Sequence, residues 1–178
     1  EHPHVDAAMG AHMIPGIPVG LGGYGMGVVS ASSDHLVIRI EGKGGHGAHP
    51  HTTVDPINIG VHIHLALRAL ICREVDPADA AVLTFGKFQG GEAANIIPSA
   101  VVMEGTLRTF NEELRARLLA RIEAVCTHTA EAFRGSAQVT TLGSVCALTV
   151  DEETARSVAE GWRQEGLNML QRGDKMSG

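Results

Sequence analysis

The apolar positions along the chain change period several times, and each change marks an element. From His35, Leu36, Ile38 and Ile40 alternate with Val37, Arg39 and Glu41, the period-two signal of a strand with one buried face. The pattern stops at Gly42-Lys43-Gly44-Gly45. Ile57, Ile59, Val61, Ile63, Leu65 and Leu67 also alternate, which on periodicity alone favours a strand. A helix is predicted instead: Asp55 is a good N-cap, Pro56 suits the first helical position, and the stretch to Glu74 outruns a typical strand and holds the helix-forming run Ala66-Leu67-Arg68-Ala69-Leu70. Ala80 to Phe88 and Ala100 to Phe110 are apolar, β-branched runs separated by Gly90, Gly91 and Pro98, and read as two further strands.

A second helix is predicted behind Asn111, with Glu112 and Glu113 in its first turn and Leu114, Leu118, Ile122, Val125 and Phe133 at helical spacing up to Gly135. Arg115, Arg117 and Arg121 then fall mostly off the apolar stripe, on a solvated face. Gln138 to Leu142 reads as a fourth strand and Glu152 to Glu165 as a third helix ahead of a polar tail, while the glycines and prolines of Gly10 to Gly27 predict loop or linker. The order from His35 to Gly143 is strand, helix, strand, strand, helix, strand. That is the α+β, ferredoxin-like β-α-β-β-α-β two-layer sandwich, with both helices on one face of an antiparallel sheet and an edge or face left for a partner.

Composition narrows the function classes. A chain of 178 residues holds one ordinary domain and little more. Its 44% apolar content is broken into short blocks, so no membrane-spanning helix is predicted. A formal charge of -6 with mixed signs argues against nucleic acid or an anionic membrane as partner. The three cysteines, Cys72, Cys126 and Cys146, are odd in number and lack Cys-x-x-Cys spacing, so neither a disulfide framework nor a thiolate zinc site is suggested, and a reducing cytoplasm fits best. The ten histidines are scattered, and the chain starts at Glu1 without an initiator methionine, as a fragment or processed product would.

Four positions carry candidate chemistry. Gly42-Lys43-Gly44-Gly45-His46-Gly47-Ala48-His49-Pro50-His51 follows a strand and precedes a helix. It lacks the G-x-x-x-x-G-K-[ST] order of a phosphate loop, whereas a neutral His46 imidazole can donate to a developing oxyanion or ligate a metal. His12, in Gly10-Ala11-His12-Met13, is a possible ligand, but a zinc-type site needs three or four. Alternation puts Arg108 on the face of Glu104 and Thr106, either as a carboxylate-binding fork or as the ion-pair partner of Glu104. Asn95 lies in the turn-rich Glu92-Ala93-Ala94-Asn95-Ile96-Ile97-Pro98, where Asn ordinarily serves backbone geometry.

Taken in order, Gly10-Ala11-His12 with Pro15-Gly16-Ile17-Pro18-Val19-Gly20, the Gly42–Ala48 run with Pro50-His51 and Val54-Asp55-Pro56, Arg73-Glu74-Val75-Asp76-Pro77, Asn95-Ile96-Ile97-Pro98 and Glu104-Gly105-Thr106-Leu107-Arg108-Thr109-Phe110 resemble one family. It is the metallopeptidase-like amidohydrolases that include hippurate hydrolases, N-acyl-amino-acid amidohydrolases and auxin-conjugate hydrolases. The resemblance implies a catalytic domain holding two divalent ions, zinc, manganese or similar, and an inserted lid through which the protein forms a homodimer. Residues 35–143 would be that lid and dimerisation domain. Residues 1–34 would be a catalytic-domain flank and linker, and 144–178 a return linker and truncated catalytic-domain helix.

By the same resemblance His12 would be a metal ligand, and His46 would reach the partner subunit's site to polarise the scissile amide carbonyl. Asn95 and Arg108 would hold the substrate, Arg108 by its free carboxylate. The family's His-x-Cys-Gly-His-Asp-x-His segment, Glu-Glu pair and closing histidine are absent, and Val145-Cys146-Ala147-Leu148 departs from the tyrosine and prolines usual there. The expectation is therefore a piece of an N-acyl amino acid amidohydrolase that binds metal weakly and is inactive alone. The competing readings are a free-standing ferredoxin-like module for dimerisation or small-ligand binding, and a histidine-rich metal-binding protein.

Overall fold

In a computed structural model, which describes residues 4–13 and 17–173, the elements run β1 (Leu21–Tyr24), β2 (Gly27–Ser30), β3 (Ser33–Glu41), β4 (Gly45–His46), a 3-10 turn (Pro50–Thr52), α1 (Pro56–Glu74), β5 (Ala81–Gly90), β6 (Ile96–Ile97), β7 (Ala100–Thr109), α2 (Glu112–Ala132), β8 (Ser136–Val145), β9 (Leu148–Val150), α3 (Glu152–Gln164) and β10 (Asn168–Gln171). They form two compact units, one spanning Ala31–Ala147 and the other gathering β1, β2, β9, α3 and β10.

In the larger unit the strand order is β5-β7-β3-β8, antiparallel throughout. Alternation sends Leu36, Ile38 and Ile40 of β3 and Met103 and Leu107 of β7 to one face, where they are fully buried under α1 and α2. Each such side chain stabilises the fold by about 1.5–3 kcal/mol relative to exposure. The result is the predicted α+β, ferredoxin-like two-layer sandwich.

The ambiguous alternation from Ile57 to Leu67 resolves into a helix with two apolar faces. Asp55 caps it by accepting from the Ile57 and Asn58 backbone N–H groups. Ile59, Ile63 and Leu67 are 0% exposed in the core, whereas Ile57, Val61 and Leu65 are 40%, 44% and 57% exposed on the outside. A strand-like pattern thus arises because one helix presents apolar side chains both inward and outward.

In α2 the buried stripe is Leu114, Leu118, Ile122, Cys126 and Ala130, so Val125 and Phe133 lie beside it, partly buried, rather than on it. Burial pushes the Cys126 thiol up to about 12, helped by Glu123, and it is inert. The solvated-face expectation fails for Arg115. Its side chain is only 14% exposed and its Nε and Nη2 donate to the carboxylate of Asp34, itself fully buried, both at 2.8 Å. Ser144 Oγ donates to the same carboxylate at 2.6 Å, Arg115 also donates to Glu112, and Glu112 accepts the Ala147 N–H at 2.6 Å. This clasp ties the start of β3, the first turn of α2 and the end of β8 together.

The smaller unit departs from the linker expectation. β1 pairs in parallel with β10, Leu21 opposite Asn168, and β2 pairs antiparallel with β9. Both partners lie more than a hundred positions away, so no local pattern in the glycine-rich segment announces them. Pro15 and Gly16 of the first motif and the tail from Asp174 onward lie outside the described residues. No described helix is long and apolar enough to cross a membrane.

Burial tends to raise the Asp34 carboxyl, but the hydrogen bonds from Arg115 and Ser144 and the Arg115 charge outweigh it and hold the group below its ordinary value. A carboxyl depressed in the folded state contributes stability that is complete above the unfolded pKa, about 4, and is lost as pH falls through the folded value. Urea unfolding across an acid series is expected to show this loss in the wild type and a shallower slope in Asp34→Asn. Arg115→Ala, which strands a buried carboxylate, is expected to cost about 3–5 kcal/mol at neutral pH.

Candidate functional site

The loop after β3 is held by backbone, not by its side chains. Lys43 and Val54 exchange N–H to carbonyl bonds at 2.8 and 3.0 Å, closing the segment between them. Within it β4 pairs with β6, Gly45 opposite Ile97 and His46 opposite Ile96, and the Gly47 N–H donates to the Asn95 carbonyl at 2.8 Å. Gly44 is required by this close approach, and Gly47 is favoured by it. A Cβ on Gly44 would come within 2.9 Å of the Ile97 carbonyl oxygen, and one on Gly47 within 3.1 Å of that of Asn95. The sequence motifs around His46 and Asn95, about fifty positions apart, therefore form one clip.

Both side chains on that clip are exposed. The Ala48 N–H donates to Nδ1 of His46 at 3.1 Å. That bond leaves the proton of a neutral imidazole on Nε2, where it can be donated outward to a carbonyl or oxyanion. His49 and His51 continue the same loop, with ring centroids 5.8 Å from His46 to His49 and 6.0 Å from His49 to His51. A groove of about 450 Å³ runs beside the clip, with Gly47, Glu92, Ala94 and Ile96 in its wall.

Arg108 lies elsewhere. It is on the sheet face opposite the helices, half-buried, and paired in register with Val82. The ion pair with Glu104 that alternation allowed does not form. Glu104 is instead engaged by Lys87 at 2.5 Å and approached by His35 at 3.7 Å, and these two groups hold its carboxyl below the ordinary value, the Lys87 hydrogen bond foremost. A bulge in β5 between Phe85 and Lys87 brings Lys87 opposite Glu104, an effect the strand alternation does not encode. Arg108 is thus left without a hydrogen-bond or ion-pair partner among the described residues, a half-buried guanidinium open to an anion.

The clip sits at the Ala100 end of β7, where the Gly42 N–H donates to the Ser99 carbonyl at 2.9 Å, and Arg108 at the other end. Eight strand steps separate Ala100 from Arg108, roughly 25 Å at the usual rise per residue. The structure therefore brings His46 and Asn95 together and keeps Arg108 apart from them within one chain. His12 belongs to the smaller unit, exposed, its Nδ1 2.7 Å from the Met13 carbonyl. No group of three or more His, Cys, Asp or Glu side chains able to hold a metal occurs among the described residues. A donor set of one histidine does not fit a catalytic divalent ion.

Comparison with known proteins places this arrangement in a family. Residues 30–134 match the M20 peptidase dimerisation domain, and the chain belongs to that family. It is 42% identical over 135 residues to an N-acetyl-L-cysteine deacetylase of Bacillus subtilis, covering 76% of this chain and 32% of that protein. An N-acetyldiaminopimelate deacetylase of Halalkalibacterium halodurans is 32% identical over 174 residues, 97% of this chain and 47% of the relative. Among solved structures, a dinuclear metal-binding peptidase of the M20 family from Bacillus subtilis superposes with TM-score 0.70 at 25% identity, over 94% of this chain and 41% of that one. The chain spans less than half the length of each of these proteins.

Gly44→Ala is expected to push β4 away from β6 without touching the core. Hydrogen exchange at the Gly47 amide reports it: protection is expected to fall by roughly tenfold or more, while the β3 and β7 amides keep theirs.

Proposed function

We propose that this chain is the lid and dimerisation segment of a metal-dependent amidohydrolase that cleaves the amide of an N-acyl amino acid or related conjugate. The observation that carries the proposal is the separation of an exposed donor clip, His46 with Asn95, from a free half-buried cation, Arg108, on a domain whose family is defined by dimerisation. A substrate with an amide at one end and a carboxylate at the other needs both kinds of group within a few ångströms. One chain offers them roughly 25 Å apart, and two copies in antiparallel arrangement can offer them together.

In this reading His46 and Asn95 of one protomer and Arg108 of its partner face one substrate. Arg108 binds the carboxylate by a bidentate fork. His46 donates its Nε2 proton as a hydrogen bond to the carbonyl oxygen, where negative charge grows as water adds, and Asn95 orients the acyl portion. His12 is assigned as one metal ligand, and the remaining ligands to the longer protein, because one histidine cannot hold a catalytic divalent ion by itself. The named relatives, both deacetylases of N-acetyl amino acids, support the substrate class, and the dinuclear relative supports divalent ions in the longer protein.

The homodimer is assigned to the outer face of α1 and the free edge of β5. Ile57, Val61 and Leu65 form an exposed apolar stripe at helical spacing, and β5 is a terminal strand of the sheet with an unpaired edge. Joining two β5 edges antiparallel about a twofold axis continues the sheet and lays the two α1 stripes side by side.

Sedimentation velocity of this chain tests the interface: the wild type is expected to be a dimer and Leu65→Glu a monomer with unchanged circular dichroism. A monomeric wild type contradicts the assignment. For the site, His46→Ala in the longer protein is expected to lower kcat by about 10²–10³. Arg108→Ala is expected to raise KM roughly ten- to a hundredfold for carboxylate-bearing substrates. The present chain alone, given manganese or zinc, is expected to show no turnover on N-acyl amino acids; sustained turnover would refute the division of labour.

A further inference from the structure

One buried polar atom takes no part in the proposed site. Nδ1 of His64, on α1, is the buried side-chain nitrogen or oxygen without a hydrogen-bond partner among the described residues. Its ring meets Phe85 of β5 edge-on, 5.8 Å between centroids. It lines a cavity of about 280 Å³ with Leu67, Arg68, Leu83, Thr84 and Phe85. That cavity lies where α1 meets the terminal strand β5, beside the apolar stripe.

Helical spacing puts His64 and Arg68 in the same band of the helix surface as Ile57, Val61 and Leu65. His64 and Leu65 are at the middle of the band from Ile57 to Cys72. In an antiparallel pairing of two α1 helices the twofold axis passes near the middle of the shared stripe, so the two His64 rings approach each other there. We propose that His64 makes the homodimer pH-dependent, with the neutral imidazole accepted at the axis and the imidazolium rejected. This rests on the α1 and β5 interface assigned above.

The charge environment supplies the sign. On α1 the cation Arg68 shares the cavity with His64, and the β5 residues lining it, Leu83, Thr84 and Phe85, are uncharged. No carboxylate lines that cavity to offset a proton. Covering it with a second copy removes water from both rings, and burying a charge without a partner is unfavourable. Two imidazolium groups and two guanidinium groups would then stand close together in an apolar seam. Imidazole is the side chain whose ordinary titration falls between pH 5 and 8. Protonation therefore favours separated protomers, and the dimer tightens as pH rises.

The test is the dimer dissociation constant of this chain by analytical ultracentrifugation at about pH 8 and about pH 5.5, with circular dichroism confirming the fold at both. The wild type is expected to bind at least roughly tenfold more weakly at the lower pH, one proton per protomer being linked to dissociation. His64→Leu and His64→Gln, one apolar and one polar but neither protonated in this range, are each expected to remove most of that difference. His62→Gln, which loses a ring stacked on Phe133 at 4.6 Å on another side of the helix, is expected to retain it. A wild-type dimer equally tight at both pH values overturns the inference and leaves the interface standing. So does an acid weakening that persists in both His64 variants. A wild type that is monomeric at about pH 8 overturns the interface and this inference with it.

Discussion

The burial of Leu36, Ile38 and Ile40 beneath α1 and α2 is the constraint from which the rest of the arrangement follows. Strand alternation allows one face of β3 to be covered and leaves the other face outward. Once those three residues are fixed, the register of β3 with β7 fixes Met103 and Leu107 inward and Glu104 and Arg108 outward. A slip of one residue in that register would bury Arg108 and Glu104 and expose the core. The free cation of the proposed site is thus held in place by the apolar core on the opposite side of its own strand.

The same core determines what is left uncovered. Two helices cover one face of a four-stranded sheet, and nothing in the larger unit covers the edge of β5 or the outer stripe of α1. Ordinary amphipathic helices turn polar residues outward; α1 does not at Ile57, Val61 and Leu65. An apolar face beside an open strand edge is the combination that association between copies removes from water. The fold, the family to which it belongs and the distance between the His46 clip and Arg108 all support the proposal of a protein that works as two copies.

Much of this was legible in the sequence, and the misses have physical causes. The strand and helix order could be read because caps at Asp55 and Asn111 and the alternation of β3 are local signals. The dual nature of α1 was present as a puzzle: alternation over a helical length is what two apolar faces produce. Arg115 was misplaced because its partner Asp34 is 81 positions away, and a polar residue at the start of a strand carries no sign that it is fully buried. The β1 and β10 pairing was invisible for the same reason. His46 and Asn95 could be singled out separately, but only β4 and β6 pairing shows them to be one feature. The release of Arg108 from Glu104 depends on the bulge between Phe85 and Lys87, for which Gly86 is at most a weak local hint.

The central claim is that one working site draws its amide-facing and carboxylate-facing residues from different copies. It is tested most directly in the longer protein by mixing two impaired variants, His46→Ala and Arg108→Ala, under conditions where protomers exchange. If the site is shared, half of the dimers in an equal mixture are mixed, and each carries one site with both residues intact. Assayed well below KM, activity should then rise from the low level of the two parents to about a quarter of wild type. If each copy holds a complete site of its own, the mixture will show no more activity than the average of its two parents, and the account fails.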